Sequence, residues 1–101
     1  MATRLDLHNK LKELLGLPNV YYQSPENTKM EYPAIRYSLS KISSRYADNT
    51  NYSNLTRYEI IVIDRKPDNP VIRKILNCNY ASYDRHYISD NLNHDVLTIY
   101  F

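Results

Sequence analysis

Leu7, Leu11, Leu14 and Leu15 recur at i, i+4, i+7 and i+8, the spacing that gathers apolar side chains into one stripe along a helix. The pattern predicts a helix over about 4–15, with Thr3 or Asp6 as a cap and Leu5 and Leu17 extending the apolar contact at its ends. Gly16, the single glycine of the chain, stands where a left-handed helix stop is wanted. The other tight turns therefore fall to Asn, Asp and Pro.

Val20-Tyr21-Tyr22-Gln23 reads as a short strand, followed by a polar turn at Ser24-Pro25-Glu26-Asn27. After Pro33, Ile35, Tyr37 and Leu39 alternate with Arg36, Ser38 and Ser40, the signature of a strand with one buried face. The polar stretch from Ser43 to Ser53 reads as a loop. The next segment, Leu55 to Asp64, starts with alternation and becomes apolar on both faces at Ile60 to Ile63, which predicts the central strand of a sheet.

Pro67-Asp68-Asn69-Pro70 ends that strand and offers an Asp or Asn cap with a proline at the first helical position. Val71, Ile72, Ile75 and Leu76 then mark a second helix over about 70–77. Tyr83, Arg85 and Tyr87 alternate with Asp84, His86 and Ile88, and Asp90-Asn91-Leu92-Asn93 turns the chain into a closing strand, Val96 to Phe101. The order α-β-β-β-α-β-β predicts an α+β fold of two layers, an antiparallel sheet with both helices packed against it, in a single domain over residues 1–101.

At 101 residues, with 43% apolar and 24% charged positions, the chain suffices for one core but not for a two-lobed enzyme. Thirteen basic and eleven acidic residues are spread over both halves, so no basic stripe announces phosphate binding. A lone Cys78 excludes an internal disulfide and a four-cysteine zinc site, and suits a reducing setting. No apolar run has the length of a secretory signal core, and none approaches the roughly 20 residues of a membrane span. One glycine leaves no phosphate-cradling loop.

His8, His86 and His94, with Asp84 and Asp95 near the last two, are the material for a metal or general-base site. Asp84 and His86 would share a strand face, but the sequence offers no third convergent ligand, so no catalytic, cofactor or metal site is expected. The alternative is structural: His94-Asp95 supporting the hairpin turn, His86 on a wet strand face, and Cys78 as a small half-buried thiol. The eleven tyrosines pose a similar choice between a base-stacking platform and strand packing, and Tyr37, Tyr58 and Tyr100 fit packing.

Tyr32-Pro33-Ala34-Ile35-Arg36-Tyr37, then Tyr58-Glu59-Ile60-Ile61-Val62-Ile63-Asp64 with Pro67-Asp68, and Asp90-Asn91-Leu92-Asn93-His94-Asp95, are similar in order to the tail-terminator or tail-completion proteins of long-tailed bacteriophages. These are strand-and-turn patterns, shared in plan with other head–tail joining proteins, and the closing turn here carries Asp90 and Asn91 in place of glycine. The resemblance implies a leading helix, a small antiparallel sheet, a second helix and closing strands. It implies a virion structural subunit rather than an enzyme, assembled in the host cytoplasm. That subunit would form a ring, commonly hexameric, that caps the tail tube of a siphophage at its head-proximal end. Its partners would be itself, the tube protein and a head-completion or connector protein, with DNA passing only through the lumen and no membrane.

In such a ring each subunit presents two different patches to its neighbours. Arg45, Tyr46, Asp48, Asn49, Asn51 and Tyr52 in the polar stretch, and Asp64, Arg65, Lys66 and Asp68 at the exit of the central strand, are the candidates. The bland readings are a solvated loop for the first group and a capping turn for the second. A free sheet edge, such as the final strand to Phe101, is a further surface that a neighbour would cover. The alternatives are another head–tail connector, whether a head-completion or a minor capsid protein, or a small nucleic-acid-binding regulator using a basic sheet face and exposed tyrosines.

Overall fold

The computed structural model describes residues 4–23, 31–47, 50–78 and 80–101, with the side chains of 41–47 and 50–55 outside the description. The element order is α1 (Arg4–Leu15), β1 (Val20–Tyr22), β2 (Ala34–Ala47), β3 (Thr50–Asp64), α2 (Val71–Leu76), β4 (Ala81–Ser89) and β5 (Leu92–Tyr100). The expected α+β order is thus present. The polar turn expected at Ser24 to Asn27 lies outside the described residues.

Helix α1 buries Leu7 and Leu11 on the stripe that the leucine spacing defines, with Leu14 and Leu15 half-covered beside them. Leu5 and Leu17 do not extend that contact. They are exposed, Leu5 because it falls off the buried arc of the helix and Leu17 because it lies beyond the helix end. Gly16 ends the helix at φ +77°, its N–H bonded to the Lys12 carbonyl at 2.9 Å. Helix α2 starts as the sequence suggests: Pro70 has helical dihedrals, and the Asn69 side-chain oxygen accepts the Val71 N–H at 2.9 Å. Functionally, Asn69 is therefore the cap and Pro70 the first helical residue.

The five strands run in the order β1-β2-β3-β5-β4. Strand β3 is central because its apolar run serves both faces. Ile60 and Val62 face the helices and are fully covered, while Ile63 on the other face pairs with Ala34 and His94 and is also buried. The core joins Leu7 and Leu11 of α1, Val71 and Ile75 of α2, and Ile35, Tyr37, Tyr58, Ile60, Val62, Leu97 and Ile99 of the sheet. Each fully covered Ile or Leu contributes about 1.5–3 kcal/mol through removal from water.

Three expectations need correction. The sheet is mixed: β1 pairs parallel with β2, Val20 opposite Ile35. Residues 23–33 join the two strands, the dozen or so that a parallel crossover requires. Among the described residues, the stretch from Ser43 to Ser53 is strand: Arg45 pairs with Ser53, Tyr46 with Asn51 and Ala47 with Thr50, and Ser43 and Ser44 pair with Leu55 and Asn54 just beyond it, so β2 and β3 stay paired over this length. The final strand is not an edge, since β5 lies between β3 and β4.

The closing hairpin turns more tightly than expected. Asp90 and Asn91, at φ +53° and +61°, form the whole connection, and Ser89 faces Leu92. Asp and Asn tolerate this left-handed conformation where most residues do not.

Replacing Gly16 by Ala is expected to destabilise the protein by roughly 1 kcal/mol through the left-handed backbone alone, since an added Cβ there meets nothing within 4 Å. Urea unfolding of the variant would measure it.

Candidate assembly interface

Beyond Thr56, whose carbonyl accepts the Phe101 N–H, the β2–β3 hairpin leaves the sheet. Residues 50–55 with their partners on β2 form a two-stranded ribbon roughly 20 Å long at the usual rise per residue. Its strands meet no third strand among the described residues. Arg45 and Tyr46 lie on β2 of this arm and Asn51 and Tyr52 on β3. A register shift between Arg45 and Tyr46 marks an irregularity in the ladder there. Asp48 and Asn49 fall outside the described residues.

The second candidate group sits at the other end of β3. Asp64 Oδ1 accepts the Lys66 N–H at 3.2 Å and its Oδ2 accepts the Asn69 amide at 2.7 Å, while Asn69 caps α2. Asp64 is thus a latch that shapes the turn. Arg65 and Lys66 are exposed, the Arg65 guanidinium lying 6.0 Å from the Tyr32 ring centroid. Asp68 takes φ +58° and lines a groove of about 540 Å³ between α2 and β4. From Asn51 to Asp64 is thirteen residues of strand, roughly 40 Å. The two groups therefore stand at opposite ends of a molecule 51 Å long and 27 × 23 Å across.

Strand β4, rather than the final strand, is a sheet edge, with β1 at the other side. Strand β4 is exposed along almost its whole length, and Tyr83, Tyr87 and Ile88 are 44%, 37% and 68% accessible. Tyr80, just before it, is 79% accessible although its backbone holds φ +64°, a strained state for an aromatic residue. The signal in the sequence was the alternation of β4 without a run of aliphatics on either face.

Asp84 and His86 turn to different partners. The bulge between Tyr83 and Arg85 turns Asp84 to Arg85, 2.9 Å away, whereas His86 Nε2 meets Asn93 at 3.1 Å. His94 Nδ1 bonds the Leu92 carbonyl and its ring stacks on Tyr87, as a turn-supporting residue would. Asp95 instead turns inward. It is buried and accepts the Tyr83 hydroxyl at 2.8 Å. Among the described residues, no three of His, Cys, Asp and Glu gather where they would hold a metal. Cys78 is free and half-buried, its thiol 3.6 Å from the Lys74 carbonyl.

Of the tyrosines singled out, Tyr37 and Tyr58 pack in the core, whereas Tyr100 is 39% accessible. Tyr37 also organises the start of α1. Its hydroxyl accepts from Arg4 Nη1 at 3.1 Å and lies 2.7 Å from His8 Nδ1. Arg4 also covers the Tyr22 ring at 4.5 Å. Burial pushes the Tyr37 and Tyr58 hydroxyls above their usual pKa.

No helix among the described residues is long and apolar enough to cross a membrane. The chain matches no known family model, and no curated protein is significantly similar to it.

Two pH responses follow from these contacts. Burial, with Lys12 and Arg4 adding repulsion, holds His8 below its usual pKa. The unfolded chain then takes up a proton that the folded chain resists, so stability should fall as pH drops below about 6.5. Chemical denaturation between pH 7.5 and 5 would read this, and His8→Gln should flatten the slope. At the alkaline end, the hydrogen bond to Asp95, aided by burial, raises the Tyr83 pKa to about 12. That contribution is complete below the unfolded value of about 10 and should be lost from there up to about 12, a slope that Tyr83→Phe removes.

Proposed function

We propose that the chain is a virion structural subunit of a long-tailed bacteriophage, a tail-terminator or tail-completion protein that closes into a ring at the head-proximal end of the tail tube and joins it to the head. The carrying observation is the placement of two unlike candidate surfaces, the β2–β3 arm and the turn at 64–68, at opposite ends of one elongated subunit. A cyclic ring needs this, because each copy meets its two neighbours through different faces and the contact closes by rotation.

The element order agrees with what the resemblance implies, and the exposed β4 edge with Tyr80, Tyr83, Tyr87 and Ile88 offers amphipathic area of the kind interfaces use. In this reading the chain makes and breaks no bonds. Its partners are further copies of itself, the tube protein and a head-completion or connector protein. DNA passes only through the lumen, and the protein resides in the virion at the head–tail junction. The same arrangement serves a neighbouring ring of the head–tail connector.

A second reading rests on the sheet face opposite the helices, which carries Arg36, Arg57 and Arg85 with Tyr21, Tyr87 and Tyr100 and would suit single-stranded nucleic acid. Glu59 on that face and the Asp84–Arg85 pair weaken it. Oligonucleotide binding at low salt that declines steeply with ionic strength would favour this regulator.

Electron microscopy and light scattering of the protein mixed with purified tail tubes should show rings on one end of each tube and a halt in tube growth. Tyr46→Ala with Tyr52→Ala should lower capping about 30-fold or more, as loss of an interface anchor does. Monomers with and without tubes would sink the proposal.

A further inference from the structure

Asp95 is 8% accessible, and among the described residues its one hydrogen-bond partner is the neutral Tyr83 hydroxyl, held by Oδ1. Oδ2 receives no donor there. Buried carboxylates are ordinarily matched by a cation or by several donors, because desolvating a lone charge is costly. Among the described residues, no cation pairs directly with it. His86, opposite Asp95 in the ladder, spends Nε2 on Asn93. Arg73 lines the same groove, yet Arg85–Asp84 is the one ion pair among the described residues. Asp95 lines the groove of about 540 Å³ between α2 and β4, whose rim carries Asp68 and whose walls include Arg73, Tyr83, Ile72 and Leu76. Asp68 lies near enough to act electrostatically on the Tyr83 hydroxyl.

An acidic, partly apolar groove walled by a tyrosine fits a guanidinium, which stacks on an aromatic ring while forking its donors onto a carboxylate. The arm, residues 41–56, contains Lys41 and Arg45 against one acidic residue, Asp48, and so carries a net positive charge. Within one copy the arm and the groove are kept apart by β3, roughly 40 Å of strand, so no copy fills its own groove.

We propose that this groove is the socket for the β2–β3 arm of a second copy, with Arg45 entering to pair with Asp95 and Asp68. The inference rests on the ring reading and specifies its subunit contact. It makes the contact head-to-tail, arm end of one copy to α2 end of the next, the arrangement that closes into a ring.

Sedimentation of the full-length protein from micromolar to millimolar concentration tests it, with unfolding followed in parallel. The wild type should associate. Asp95→Asn and Arg45→Gln should each weaken association roughly 30-fold or more, and the double variant should be no weaker than the singles. Lys41→Gln and Arg73→Gln should leave association unchanged. Asp95→Asn keeps an acceptor for Tyr83 and removes a buried charge, so the monomer should be at least as stable as wild type. A purely structural Asp95 would instead lose stability along with association. That result, association indifferent to Asp95 or Arg45, additive losses, a loss with Lys41→Gln matching that with Arg45→Gln, or a wild type monomeric throughout would overturn the inference. Ring formation on tail tubes with association indifferent to these changes would overturn the socket and leave the ring standing; monomers even on tubes would remove both.

Discussion

The two-sided burial of β3 is the constraint on which the rest depends. Ile60 and Val62 are buried toward the helices and Ile63 toward the other face, so this strand must be flanked on both sides by partners that cover it. Strand β2 takes one side and β5 the other. With those places filled, β1 and β4 become the edges, and both helices settle on the face where Tyr37, Ile60 and Leu97 form a continuous apolar floor. The antiparallel hairpin β2–β3 fixes the register of everything that follows.

The same hairpin also explains how a small chain comes to have two distant ends. Its base is anchored in the core, while its outer part outruns both β1 and β5 and continues as a ribbon. Nothing in the core requires that extension, and a two-stranded ribbon has little stability of its own. Its strands are mostly Ser, Asn, Thr and Tyr, with Ile42, Ala47 and Leu55 and two basic residues, which suits contact with another surface more than packing within the chain. At the opposite end, Asp64 and Asn69 lock the turn into α2, giving the α2–β4 groove a rigid wall. Rigidity at one end and reach at the other are what a repeated head-to-tail contact uses.

Two positions carry local cost without return inside the chain. Tyr80 holds a left-handed backbone with its ring in solvent, and Asp95 hides a carboxylate behind one neutral hydroxyl. Both lie beside β4, the strand that covers least of itself. Their clustering at one edge supports reading that side of the molecule as a surface completed by something else.

The sequence alone determined the elements whose information is local. The leucine spacing set α1, Gly16 its end, Asn69-Pro70 the start of α2, and the apolar doublets around Ile60 to Ile63 the middle of the sheet, because helical and strand periodicities and caps act over a few residues. It also determined that Tyr37 and Tyr58 pack inward. What only the tertiary structure decided was long-range. The polarity of Ser43 to Ser53 looks the same in a loop and in a solvated ribbon, since a strand without a buried face loses the alternation that reveals it. The parallel pairing of β1, the interior place of β5 and the bare edge of β4 follow from which strands reach β3 first, a competition no local pattern records. Asp95 was legible as a charged residue near a turn. Its burial against Tyr83 depended on the pairing of β5 with β3 and β4, which sets Asp95 opposite Val62 and Tyr83 opposite Leu97, a register that no local pattern records.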